Sequence, residues 1–265
     1  MFFIVIFLLL TALYTYLYSL IDLGIYYIIL WIFLAIISSI LSIAIYALFF
    51  LLVGSKTKPT NRYKHFILRN ACFLAIKFQR IKIVIKGKEN ILDEPFVVYA
   101  NHKSKMDPLL IYYSMNRVCS AIGKKSLFVN PLMKLVSKTY GAIPLDREND
   151  REAAKSIIMG IKSVKKGLSM IIFPEGGIKT RDTDEMVSLR AGAYKLATKA
   201  EVAVLPVSII GSSKIATKKF FHKITVELIF HKPIFKEEYK QLNTTQLGLM
   251  VENIINEGIA SENSK

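Results

Sequence analysis

The chain has 265 residues, of which 52% are hydrophobic, and sets 36 Lys and Arg against 20 Asp and Glu for a net charge of +16. Two cysteines without C-x-x-C spacing, Cys72 and Cys119, give no disulfide framework and no cysteine zinc site, and the four histidines (His65, His102, His222, His231) are too scattered to suggest a metal centre. The positive charge comes with no nucleic-acid-binding motif, which leaves an anionic lipid surface or anionic substrates as its partner.

Residues 1–55 are membrane sequence whose one charged residue is Asp22, so the rest of the chain carries +17. A span needs ~20 apolar residues; Phe2 to Leu20 is just long enough and Leu23 to Val53 is longer than needed. The expectation is a transmembrane helical hairpin turning near Asp22 and Gly24. Phe-Phe directly after Met1, with no Lys or Arg, argues against a cleaved signal peptide. The bases that begin at Lys56 place this flank, and the domain after it, in the cytoplasm by the positive-inside rule. Residues 56–80 then read as an amphipathic linker helix carrying aromatics and bases together, either lying on the membrane surface or packed on a core.

From 81 to 265 the chain has the size of one domain. Strands are expected at Ile81–Lys86, Phe96–Ala100, Ser169–Phe173, Val202–Ile210 and Lys223–Phe230. A helix follows Asn149, with Glu152 completing a capping box, Ile157, Ile161 and Val164 as its apolar stripe and Gly167 as its stop. Such alternation means an α/β sandwich with its functional residues at the carboxyl ends of strands.

Four stretches carry chemistry. In "NHKSKMDP" Asp107 reads as a helix N-cap with Pro108 at the first helical position, and equally as a carboxylate able to orient His102 as a base. With no G-x-S-x-G elbow and no specially placed serine, the attacking hydroxyl would belong to the substrate. In "GAIPLDRE" Arg147 offers a planar fork to a phosphate, or else pairs with Asp146 or Glu148 at the surface. In "IIFPEGGIKTR" Pro174 ends a strand and Glu175 is the first polar residue, Gly176 and Gly177 allow close backbone approach to a ligand, and Lys179 and Arg181 add charge. In "VLPVSI" Pro206 marks a bulge or an edge strand, edge being the simpler reading.

In this order and spacing the four stretches resemble the 1-acylglycerol-3-phosphate acyltransferase family over roughly Lys82 to Ile234. The resemblance implies an acyltransferase-type α/β sandwich with a mixed sheet, and transfer of an acyl group from a thioester to the free hydroxyl of lysophosphatidic acid, giving phosphatidic acid. It implies His102 as general base, Asp107 as its orienter, Arg147 on the acceptor's phosphate, and Glu175 with Gly176 shaping the glycerol site. No metal or bound cofactor is called for; the donor is acyl-CoA or acyl carrier protein, and anionic membrane lipids are further partners. The family usually follows F-P-E-G with Thr-Arg-Ser, where this chain has Gly177-Ile178-Lys179. The second phosphate cation is then Lys179 or Arg181, with Arg181 favoured. Glycerol 3-phosphate or another lysolipid stays open as acceptor, as does a non-catalytic basic lipid-binding role.

Overall fold

The computed structural model describes residues 2–21, 27–219 and 222–264. It divides into two compact units, Met1–Lys58 and Pro59–Lys265.

The first unit holds α1 (Phe2–Ser19) and α2 (Ile28–Gly54), both long and apolar enough to cross a membrane. At 1.5 Å per residue they are about 27 and 40 Å long. Hydroxyls join them: Thr11 donates to Ser39 (3.1 Å), and Tyr14 and Tyr18 bond Ser42 and Ser38 (2.7 Å each). Hydrocarbon offers such groups no water, so pairing across the two helices satisfies them. On α2, Trp31, Ala35 and Ser39 recur every fourth residue and form its buried stripe. The expected turn at Asp22 and Gly24 lies outside the described residues.

The second unit opens with α3 (Arg62–Phe78), capped by the Asn61 side chain on the Tyr63 amide at 2.9 Å. There follow β1 (Ile81–Lys86), β2 (Phe96–Ala100), α4 (Asp107–Met115), β3 (Cys119–Lys124), α5 (Pro131–Tyr140), β4 (Ile143–Leu145), α6 (Asp150–Lys165) and β5 (Ser169–Ile172). The chain ends with α7 (Lys195–Ala200), β6 (Ala203–Ile210), β7 (Ile224–Phe230), α8 (Lys236–Tyr239) and α9 (Thr244–Asn263). Among the described residues the seven strands form one mixed sheet in the order β1-β7-β6-β2-β5-β3-β4, parallel except where β6 meets β7.

Strand alternation sorts the core to the two faces of the sheet. Val97, Tyr99, Met170, Ile172 and Val204 pack with residues of α6, α7 and α9. Phe96, Val98, Ala100, Ile171, Phe173 and Leu205 pack with α3 and α4 through Cys72, Ile76, Leu110 and Ile111. Both faces being covered, β2 is buried at every position, which is why "FVVYA" reads as a continuous apolar run. α3 therefore buries Ile67, Cys72 and Ile76 in the same unit as the sheet.

Two local expectations change. Pro206 lies on β6, inside the sheet, with Tyr99 of β2 opposite it. The ladder to β7 begins only at Val207 opposite Phe230, and beyond it Val204 pairs with Ile234, one residue out of step. Proline's missing N–H thus falls at a bulge, where the His231 N–H still donates to the Pro206 carbonyl at 3.0 Å. At α6, the Asn149 side chain caps the Glu152 amide at 3.1 Å, but the Glu152 carboxylate bonds Lys155 at 2.7 Å instead of returning to the cap.

Candidate active site

β2, β3, β4, β5 and β6 run the same way, so the segments after Ala100, Leu145 and Ile172 emerge on one edge of the sheet. That edge collects Asn101-His102, Arg147 and Glu175.

Asn101 replaces a rung of the ladder where β2 ends. Its Oδ1 accepts from the Ile209 N–H (2.8 Å) and its Nδ2 donates to the carbonyls of Ile209 (2.7 Å) and Asp184 (2.6 Å). The next residue, His102, is held from three sides. Its N–H donates to Glu175 Oε1 (2.8 Å), its ring stacks on Phe173 with centroids 4.1 Å apart, and its Nδ1 lies 3.0 Å from Asp107 Oδ2.

Asp107 is the first residue of α4 itself, and the N-cap position falls to Met106. The reason is visible in its bonds: Oδ2 turns back and accepts the N–H groups of Lys103 (2.8 Å) and Ser104 (2.7 Å) as well as the imidazole. An oxygen serving two amide donors acts as acceptor, so Nδ1 carries the proton and Nε2, which has no hydrogen-bond partner among the described residues, is the nitrogen left to accept one. Glu175 is fully buried and its second oxygen lies 3.5 Å from the equally buried Lys103 Nζ; neither atom has a hydrogen-bond partner among the described residues.

Arg147 is half-buried, and Asp146 beside it pairs with Lys125 at 3.0 Å. The Arg147 Nε has no hydrogen-bond partner among the described residues. Burial, and then the neighbouring Arg190 guanidinium, lower its pKa from the ordinary arginine value. Arg190 donates to the Arg147 carbonyl at 3.2 Å and is anchored by its own N–H on the Pro174 carbonyl at 2.9 Å. Gly176 and Gly177 make room for both side chains. A Cβ on Gly176 would come within 2.4 Å of Arg190 Nε, and one on Gly177 within 2.7 Å of Arg147 Nη1. Two like charges gathered at one point, one of them partly desolvated, suit an anion that neutralises both.

Arg181, expected to supply the second cation, donates from Nε to the Lys103 carbonyl at 3.1 Å, and Lys179 is exposed with no side-chain bond to the site among the described residues. Lys103, Phe173 and Arg190 were missed by the sequence reading. Their only signal was proximity to the quoted motifs, Arg190 standing just before an "AGAYKLA" run.

A cavity of about 640 Å³ adjoins these groups. Ala153, Ala154, Ile157, Ile158 and Ile161 of α6 line it with Ile172 and Phe173, and Arg147, Gly176 and Arg190 stand at the same wall. Its size is in the range of ligand pockets and its lining is mostly apolar.

Residues 82–210 match the Acyltransferase family model. A probable 1-acyl-sn-glycerol-3-phosphate acyltransferase of Mycoplasma genitalium is 30% identical over 219 residues, which cover 77% of this chain and 80% of the relative. This chain belongs to the 1-acylglycerol-3-phosphate acyltransferase family. The chloroplastic 1-acyl-sn-glycerol-3-phosphate acyltransferase LPAT1 of Arabidopsis thaliana is 32% identical over 66% of the chain, which spans about half (49%) of that longer protein. The fold of this acyltransferase-family chain is that of the crystal structure of the 1-acyl-sn-glycerophosphate acyltransferase PlsC from Thermotoga maritima. The TM-score is 0.69 at 24% identity, with 97% of this chain and 96% of the other covered.

Proposed function

We propose that this protein is a membrane-anchored enzyme that transfers an acyl group from a thioester to the free hydroxyl of lysophosphatidic acid, forming phosphatidic acid. The observation that carries the reading is the 3.0 Å contact between His102 Nδ1 and Asp107 Oδ2, with Nε2 left open. Nε2 takes the proton of the acceptor hydroxyl as its oxygen attacks the thioester carbonyl. Collapse of the tetrahedral adduct breaks the C–S bond, and the imidazolium returns its proton to the departing thiolate. Asp107 holds the ring and stabilises the imidazolium. The substrate supplies the nucleophile; the nearby Ser104 hydroxyl instead accepts the Met106 N–H at 3.2 Å.

Arg147 and Arg190 hold the acceptor's phosphate, and the apolar cavity beside Phe173 takes an acyl chain. Glu175, fully buried, fixes the His102 backbone and faces Lys103. The donor is acyl-CoA or acyl carrier protein. α1 and α2 anchor the chain in the membrane, and the bases from Lys56 onward set the catalytic unit on the cytoplasmic side.

The test uses the purified protein in detergent with lysophosphatidic acid and each donor, following released thiol and the mass of the lipid product. Burial pushes the Cys72 thiol up to about 12 and the Cys119 thiol up as well, so neither adds to the thiol signal. His102→Ala is expected to lower turnover by ~10²-fold or more with unchanged folding. Near-normal turnover in a folded His102→Ala preparation would sink the mechanism, and no product from lysophosphatidic acid with either donor would sink the substrate.

A further inference from the structure

A second cavity, of about 470 Å³, opens at the other edge of the sheet, where Phe96 begins β2 and Ser169 begins β5. Six strand-like steps separate Phe96 from His102, so the two sites are ~20 Å apart at 3.3 Å per residue. The chemistry described above uses none of the groups here.

Three guanidiniums line this cavity against one carboxylate: Arg62, Arg69 and Arg117 against Asp93. Arg62, Phe66 and Arg69 stand at i, i+4 and i+7, on one face of α3. Cys72 and Ile76, beside and below Arg69 on the same helix, are buried and fix the turn of α3 that brings Arg69 to the cavity. Arg69 lies 5.5 Å over the Tyr113 ring and bonds the side chain of Asn116. Arg117 pairs with Asp93, itself 86% exposed at its side chain, and Arg62 is exposed. With Asp93 paired to Arg117, two positive charges in excess line an open cavity of ligand size and form an anion site that the protein's own carboxylate leaves under-neutralised.

We propose that this cavity binds the phosphate-bearing headgroup of an anionic phospholipid, at a site separate from that of the acceptor. A lipid, rather than a soluble phosphate, is indicated by the aromatic flank. Phe66 lines the cavity while 47% exposed, and Tyr63 on the same helix is 54% exposed. Aromatics interleaved with arginines suit the headgroup level of a bilayer, where rings meet acyl chains and guanidiniums meet phosphates. In the chain, Arg62 follows Gly54, the last residue of α2, by eight positions. The inference is independent of the acyl-transfer reading.

The test titrates the full-length protein in detergent with phosphatidylglycerol and, separately, phosphatidylcholine, counting bound lipid by native mass spectrometry. Arg62→Gln/Arg69→Gln is compared with Lys162→Gln/Lys165→Gln, which removes the same charge from the exposed face of α6. Phosphatidylglycerol is expected to bind at least tenfold more tightly than phosphatidylcholine, with at least a tenfold loss in the arginine pair and none in the lysine pair. Equal losses in both pairs would mean diffuse surface charge and overturn the site. Displacement by soluble glycerol phosphate as effective as by lipid would overturn the lipid assignment. Should the arginine pair fail to fold, Arg62→Gln alone carries the comparison, since Arg62 is exposed. Turnover is read in the same preparations: an inactive wild-type protein would count against the acyl-transfer proposal and leave lipid binding to be judged on its own data.

Discussion

Removing Arg190 is the sharpest probe of the proposed phosphate site. The phosphate monoester of lysophosphatidic acid carries close to two negative charges near neutral pH, so one guanidinium leaves it half-compensated. Arg190 is the cation placed beside Arg147, over Gly176. A charge-assisted hydrogen bond contributes about 1.5–3 kcal/mol, or roughly 10- to 150-fold in kcat/KM. Arg190 is exposed, so its share belongs at the low end, about tenfold. Because Arg190 also bonds the Arg147 carbonyl at 3.2 Å, its removal also frees Arg147 to shift; Arg190→Lys, which keeps the charge but not the fork, separates the two roles and is expected to recover part of the loss. The assay compares kcat/KM for lysophosphatidic acid and an uncharged monoacylglycerol. Arg190→Ala should weaken only the phosphorylated acceptor, and Lys179→Ala neither. An equal drop for both acceptors, or discrimination lost in Lys179→Ala alone, would refute the assignment.

The Lys103–Glu175 pair should behave as a unit. Lys103→Met strands a buried carboxylate and is expected to cost about 3–5 kcal/mol, whereas adding Glu175→Gln should recover most of it because the amide oxygen still accepts the His102 N–H; simple additivity in thermal unfolding would show the two are not coupled. Burial lowers the pKa of His65 and His231 below the ordinary histidine value, so the unfolded chain binds those protons first as pH falls. Stability is therefore full above about pH 6.5 and falls below it, by at most about 1.4 kcal/mol per pH unit for each histidine. Unfolding in detergent across this range should show the slope and His65→Gln/His231→Gln should flatten it; an unchanged slope in the double variant would assign it to other groups.

Much of this architecture was legible because β2, β5, β6 and β7 are buried on both faces or alternate, and both patterns survive in a single sequence. Phe96–Ala100 and Ile81–Lys86 are read to the residue. β3 and β4 were not read. "CSAIGK" mixes small, polar and basic residues, and β4 has three residues, too few to show a period. α9 was missed although Leu247, Val251, Ile255 and Ile259 recur every fourth residue; its polar positions and two glycines hid a strong stripe.

At the site the legible part is local and the illegible part is not. His102 and Asp107 are joined by one short loop that ends where Asp107 opens α4; their spacing allowed a hydrogen bond, and it was the four stretches together that singled the pair out. Arg147 and Arg190 meet only because β4 and β5 end on the same edge of the sheet and the segment after Gly177 returns to β5, where the Arg190 N–H closes on Pro174. The two glycines show the limit most clearly. Read alone they offer amides to a ligand, whereas in the fold the absent Cβ atoms are what leave space for two guanidiniums. A glycine pair signals close approach but does not name what approaches. Here the approaching groups are the protein's own cations, Arg190 and Arg147, so under the proposed phosphate site the loop is a scaffold for the recognising groups and not one of them.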